Sequence, residues 1–271
     1  MKNKFFFIVI ILLSLCACSP SLMEVDSIKE GNSTREASFY WEEVLEFEAN
    51  DQINISCDWG NIEFYSWDKK GIKFEINKIV RGVLEKELLE EKLDDLMVNI
   101  SDDNNKIYFD AKWMVKRKNV LDKWIDMRVY LPGNINDLNI NLDKGNIKFY
   151  DDIKGQINAD LNISNVDINR FEGVINIKGN KGNVKISNGK ISGKSSIVKS
   201  IGNISIKSQF EEGGEYFFDT GTGNIELITY EGSKISIESV GILDKNDFTK
   251  HTYPTKVWVS SGIGRISIIK Y

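Results

Sequence analysis

A three-residue word returns along the second half of the chain at nearly constant steps. Gly145-Asn146-Ile147, Gly182-Asn183-Val184, Gly202-Asn203-Ile204 and Gly223-Asn224-Ile225 share it, Ser164-Asn165-Val166 is a variant, and Gly264-Arg265-Ile266 reads as a last copy. The first residues of these words lie 19, 18, 20 and 21 positions apart, and then 41, about two steps. Each word opens an alternating run, such as Ile147/Phe149, Val184/Ile186 or Ile204/Ile206, with Lys148, Lys185 and Ser205 between. One face of each run is therefore apolar and the other polar. A second short strand follows most of them, as at Val174 to Ile177. Strand pairs this short are marginal alone, so they must stack. The period predicts a mainly β fold, a β-solenoid with coils of about 20 residues over residues 133–271. Gly-Asn tolerates positive φ and is expected to turn one corner per coil.

Upstream, residues 38–132 read as a β-rich segment. Runs at Phe39 to Phe47, Ile53 to Trp59, Ile62 to Trp67 and Ile72 to Ile76 are separated by Gly, Asn and Asp. One stretch breaks the pattern. Leu84, Leu88, Leu89, Leu93, Leu96 and Met97 recur at helical spacing among acidic residues, which predicts an amphipathic helix over 83–97. A helix packed on its own sheet is the plain reading; a partner-binding helix is the sharper one. Beyond it come a polar turn at Asp102-Asp103-Asn104-Asn105 and strands at Ile107 to Trp113 and Trp124 to Leu131. The turn carries oxygen ligands, but its spacing fits no calcium loop.

The opening Ile53-x-Ile55 with Gly60-Asn61-Ile62-x-Phe64, the helix, the strand ending Val129-Tyr130-Leu131-Pro132 and the serial Gly-Asn words together resemble the DUF4097 family of proposed adhesins. The resemblance covers roughly Phe39 to the C-terminus. It implies a right-handed β-helix-like adhesin domain on the bacterial envelope, with residues 38–271 as one continuous unit. The family has no established catalytic residues to carry over. The acidic helix and the stretch from Gly241 to Pro254, where a word is missing, depart from its pattern.

The N-terminus supplies an address. Lys2 and Lys4 precede an apolar run from Phe5 to Leu13, the layout of a secretory signal and too short to span a bilayer. Leu15-Cys16-Ala17-Cys18 looks like a bacterial lipobox, which implies cleavage after residue 17 and acylation of Cys18. Several acyl chains anchor durably, each methylene contributing about 0.8 kcal/mol. Residues 1–17 are then a lipoprotein signal and 18–37 a polar tether, which places the rest outside the cytoplasm on a bacterial membrane, the outer membrane included. An ordinary signal peptide with incidental cysteines is the plainer alternative. Cys57 would be the remaining thiol, and its alternation with Ile53, Ile55 and Trp59 puts it on an apolar strand face.

Chemistry is scarce. With one histidine, His251, most hydrolase and transition-metal templates fall away. Gly193-Lys194-Ser195 lacks the earlier glycine of a phosphate loop, because residue 188 is asparagine. Asp151-Asp152 and Glu211-Glu212 keep a polysaccharide-active enzyme in view, as adjacent acids of the kind that are usually just solvated. No cofactor or metal is expected. With 35 Lys+Arg against 40 Asp+Glu, the formal charge of −5 argues against nucleic acid as a partner.

One charge pattern stands out. Lys178, Lys181, Lys185, Lys190, Lys194, Lys199 and Lys207 fall in a stretch with no acid, followed by six acids between Glu211 and Glu231. A basic band on stacked coils would hold an anionic envelope polymer; lysines that blunt strand edges give the same pattern. Of the tryptophans, Trp59, Trp113 and Trp124 read as core, and Trp41 and Trp67 as the better prospects for exposure. The sequence thus leads to a non-enzymatic, lipid-anchored adhesin that contacts an envelope polymer or surface ligand. An envelope scaffold with protein partners is the alternative.

Overall fold

Strand formation follows the alternation almost everywhere. The computed structural model describes residues 34–48, 51–114, 120–249 and 252–271, and these are mainly β. In chain order the elements are β1 (Arg35–Leu45), β2 (Gln52–Trp67), β3 (Ile72–Gly82), α1 (Lys86–Leu93), β4 (Leu96–Asp103), β5 (Lys106–Trp113), β6 (Val120–Pro132) and β7 (Asn134–Lys181). There follow β8 (Val184–Ile191), β9 (Lys194–Ile201), β10 (Ile204–Phe210), β11 (Glu215–Thr222), β12 (Ile225–Thr229), β13 (Ile235–Asn246) and β14 (Thr255–Lys270). The proposed signal, Cys18 and His251 lie outside the described residues.

The sequence period becomes the register of a parallel sheet. Val166 pairs with Val184, Val184 with Ile204, Ile204 with Ile225, and Ile225 with Ile266. All five side chains point inward and are buried. Burying each contributes roughly 1.5–3 kcal/mol, so the column is a main source of cohesion. A second ladder runs beside it. Ile177 pairs with Ile197, Ile197 with Phe218, and Phe218 with Val259. The long strands β7 and β14 take part in both ladders, so the pairings close into a barrel-like circuit through β8, β10, β12, β11 and β9.

The same two ladders continue upstream. Residues 52–57 of β2 pair with β5 and with 137–142 of β7, while 60–67 pair with β6 and 60–64 with 145–149 of β7. Gly60-Asn61-Ile62 thus stacks on Gly145-Asn146-Ile147, although β3, α1 and β4 to β6 lie between them in sequence. The runs expected as separate strands, 53–59 and 62–67, are one continuous β2. At the corners the glycines stack on one another. Gly202 and Gly223 have φ of 151° and 152°, and a Cβ on either would collide with the carbonyl oxygen of the glycine below.

Four expectations need correction. The helix spans Lys86–Leu93 rather than 83–97. Asp94 and Asp95 turn the chain, and Leu96 then pairs with Trp113 and is buried as a strand residue. β1 begins at Arg35 and buries Ala37, inside the span read as tether. The 41-residue step from Gly223 to Gly264 is one register step rather than two: the C-terminal β14 stacks directly on β11 and β12, and β13 lies outside it, paired with β14 alone. Trp59, Trp113 and Trp124 are half-buried rather than core, because Lys123, Lys144 and Arg81 stack over their rings at 4.4–5.8 Å. Cys57 is buried, as its alternation implied.

A candidate binding groove

An open groove of about 990 Å³ lies on the outward face of the second ladder. Its floor crosses six neighbouring chain segments: β5, β2, three passes of β7, and β9. At the ~4.8 Å spacing of a sheet, six segments make a trough about 25 Å long. The β4–β5 hairpin forms one end. Asn104 and Asn105, at φ of 50° and 62°, make its two-residue turn.

Two rows of outward side chains pave this floor, two residues apart on the same strands. In the first, Asn139 Nδ2 donates to Asn54 Oδ1 (3.2 Å), Asn158 Nδ2 to Asn139 Oδ1 (3.1 Å), Asn176 Nδ2 to Asn158 Oδ1 (3.2 Å), and Ser196 Oγ to Asn176 Oδ1 (3.1 Å). Asp137 braces the row, accepting from Asn139 and Asn158 and tying in Gln52, at 2.7–3.2 Å. This row is saturated by its own bonds.

The second row is not. It runs Asp110, Ser56, Asn141, Asp160, Lys178, Val198. Asp110 Oδ2 accepts from Lys112 Nζ at 2.8 Å, which raises the lysine's pKa, while Asp110 Oδ1 is buried with no partner. Among the described residues, Ser56, Asn141, Asp160 and Lys178 make no side-chain hydrogen bond or ion pair, nor do Asn99 and Tyr108 at the hairpin end. Asp110 Oδ1 apart, these groups are open to solvent, so the groove floor presents donors and acceptors that a ligand can reach without breaking bonds among the described residues.

The seven lysines singled out by sequence do not form one band. Lys178 alone lies in the groove. Lys194 is on the same ladder and pairs with Glu215 at 3.0 Å. Lys185, Lys190 and Lys207 belong to the other ladder, where Lys190 meets Glu172 at 3.6 Å and Lys207 sits 4.7 Å from the Tyr271 ring centre. Lys181 is exposed at the end of β7. Lys199 is 1 % exposed and cannot belong to an outer surface. Its ammonium donates to the carbonyls of Ser164 (3.5 Å) and Lys181 (3.4 Å), in the space left by the missing side chain of Gly179. Burial lowers its pKa. Thr220 and Ser261, its register mates, do the same job with hydroxyls at 2.8 Å from the carbonyls of Gly202 and Gly223.

The paired acids are engaged in structure. Asp151 accepts from the backbone N–H of Ser66 at 3.0 Å, and Asp152 from Arg170 at 2.7 Å. On the other ladder the half-buried Tyr150, Tyr65, Tyr130 and Trp67 lean on one another at 4.8, 5.3 and 5.8 Å. Sequence reasoning missed the groove. A signal for its first row was present, since Asn139, Asn158 and Asn176 keep the same 19- and 18-residue steps as the Gly-Asn words.

No family model and no curated protein matches the chain. Among solved structures, a proposed cell adhesion protein from Clostridium sporogenes is 12% identical, with 86% of this chain and 100% of that one covered and a TM-score of 0.35. A proposed adhesin from Parabacteroides distasonis is 10% identical over 85% of this chain and 97% of its own, with a TM-score of 0.38. A proposed lipid binding protein from the same organism is 13% identical over the same shares, with a TM-score of 0.31. At these scores the likeness is too slight to transfer a fold or a function.

Proposed function

We propose that this chain is a non-enzymatic, lipid-anchored protein of the bacterial envelope that binds an extended envelope polymer or surface ligand, in the manner of an adhesin. The observation that carries the binding role is the unsatisfied second row of the groove. Six strands set polar groups at regular spacing along a trough, and those groups are left open to a ligand. The two ladders are the walls of a β-solenoid, and the solenoid's repetition is what makes the trough long. The resemblance to the DUF4097 family and the lipobox at Cys18 support the extracytoplasmic address.

Binding of the purified full chain to isolated bacterial wall and capsular material tests the groove. The comparison is with a Ser56→Trp/Asn141→Trp variant, which fills the trough from two adjacent strands. Retention at least about tenfold weaker in the variant supports the reading; equal retention sinks it. Palmitate labelling of cells, lost in Cys18→Ala, tests the anchor.

A further inference from the structure

The chemistry of the second row narrows the ligand class further, taking the groove reading above as its premise. We infer that the groove takes a neutral, hydroxyl-rich glycan chain laid across the strands, rather than an anionic polymer or a peptide.

The charge balance comes first. Two carboxylates, Asp110 and Asp160, and two ammonium groups, Lys112 and Lys178, line the groove. The formal sum is zero, and the other lysines of the 178–207 stretch lie outside the lining. An anionic polymer would find no surplus of cations here. It would also desolvate both aspartates against its own charge, which costs more than the two lysines return.

The pattern of donors and acceptors comes second. Asp110 Oδ1 is a buried acceptor without a donor, and Asp160 is an acceptor without one. Ser56 and Asn141 both donate and accept; Lys178 only donates. A ligand that satisfies such a mixed row must offer, at short intervals, groups that donate in one place and accept in another. A hydroxyl does both with one atom, and a sugar chain carries hydroxyls along its whole length.

A peptide fits the floor less well. The floor is the face of a sheet whose backbone groups are bonded to neighbouring strands, and among the described residues β4 at the hairpin end, paired with β5 alone, leaves the one edge beside it. Its outward side chains are polar except Tyr108 and Val198, while Ile55, Phe109, Ile140 and Ile177 reach the lining from the inward side of the same strands. Tyr108, 37 % exposed at the hairpin end, offers an aromatic surface for the apolar face of a sugar ring.

The test is a titration of the full chain with neutral oligosaccharides of increasing length: cello-, laminari-, manno- and chito-oligosaccharides from dimer to octamer. Polygalacturonate and heparin are the anionic probes, and a mixed decapeptide library is the peptide probe. The expected result is binding to at least one neutral series. Affinity should rise several-fold per added sugar and level off once the chain reaches about 25 Å, the span of six strands. It should change less than about twofold between 50 and 500 mM salt, because no net charge is neutralised. Asp160→Asn and Asn141→Ala should each weaken it about fivefold or more, with melting temperature unchanged.

Salt-sensitive binding to the anionic polymers alone, or to peptides alone, overturns the glycan assignment. So does silence across all neutral series while wall material is still retained in a groove-dependent way; the groove reading then stands and its ligand class is wrong. Loss of groove-dependent retention removes both.

Discussion

Asn158 and Asp160 sit two residues apart on one strand, face the same side, and do opposite things. Asn158 donates both amide hydrogens, to Asp137 at 2.9 Å and Asn139 at 3.1 Å, and accepts from Asn176 at 3.2 Å. Asp160 makes no side-chain contact of this kind among the described residues. Position and secondary structure hardly separate them; Asn158 is half-buried and Asp160 exposed, and the difference follows from whether the strand above and the strand below present a complementary group at the same register. Amide stacks on amide, because each offers a donor and an acceptor. Aspartate beside Asn141 and Lys178 forms no such chain. One row is therefore cohesive and its neighbour is left for a ligand.

The comparison breaks most visibly in stability. Asn158→Ala removes the centre of the saturated row and strands three partners: the Asn176 donor, the Asn139 acceptor and one oxygen of Asp137. Each loss at a half-buried site costs about 1 kcal/mol, so the variant should lose about 3 kcal/mol. For a chain of this size the melting temperature should fall by about 6–12 °C. Thermal unfolding by circular dichroism measures it, and a shift of less than a degree or two would mean the amide row is ornamental.

How much of this was legible in the sequence follows from what is local. The steps of 18 to 21 residues reappear as register offsets, because one inward residue per parallel strand must meet its counterpart in the next. Even Gly60-Asn61-Ile62 finds its mate at Gly145 across an 85-residue offset. The order at the C-terminus was not legible. Gly241 and Gly264 both suit a corner, and only tertiary packing decides that β14 takes the inner place and β13 the outer. The asparagine of the Gly-Asn word was misjudged in kind. The positive φ belongs to the glycine, while Asn165, Asn183, Asn203 and Asn224 pass hydrogen bonds from strand to strand, Asn183 Oδ1 accepting from the N–H of Asn203 at 2.8 Å. The open row was invisible for a simple reason. A polar residue at an outward position looks the same in sequence whether or not its neighbour bonds to it.

Lys199 sharpens the comparison from inside. It brackets a corner as Thr220 and Ser261 do, but it takes a charge into the core. Lys199→Met should stabilise the protein by about 1 kcal/mol at neutral pH, since the gain from removing a buried ammonium exceeds the two long hydrogen bonds lost. The pH dependence carries a definite sign. An unfolded lysine keeps its proton up to about pH 10.4, and the folded one gives it up earlier because burial lowers its pKa. Between those two values the unfolded state holds more protons, so wild-type stability rises with pH through that window. The advantage of Lys199→Met is full below the folded pKa and shrinks as pH approaches 10.4. Urea titrations of both proteins between pH 7 and 10 read this directly. A constant difference would mean that the lysine is solvated in the folded state.

The smallest effect on stability is the most informative about the groove. Asn141→Ala lies on the same wall as Asn158, one register step from the saturated row, and removes a side chain with no partner to strand. Its cost should stay within about 0.5 kcal/mol. Cys57 gives an independent readout, because it follows Ser56 in β2 and faces inward beneath the open row. Burial pushes its thiol up to about 12, so at pH 8 it should resist alkylation until the wall opens. Peptide-level mass spectrometry of iodoacetamide labelling isolates Cys57 from the other cysteines. Asn158→Ala should speed that labelling, since the wall loses about 3 kcal/mol, and Asn141→Ala should leave it at the wild-type rate. Equal acceleration in both would show that the open row holds the wall together after all, and its side chains would no longer be free for a ligand.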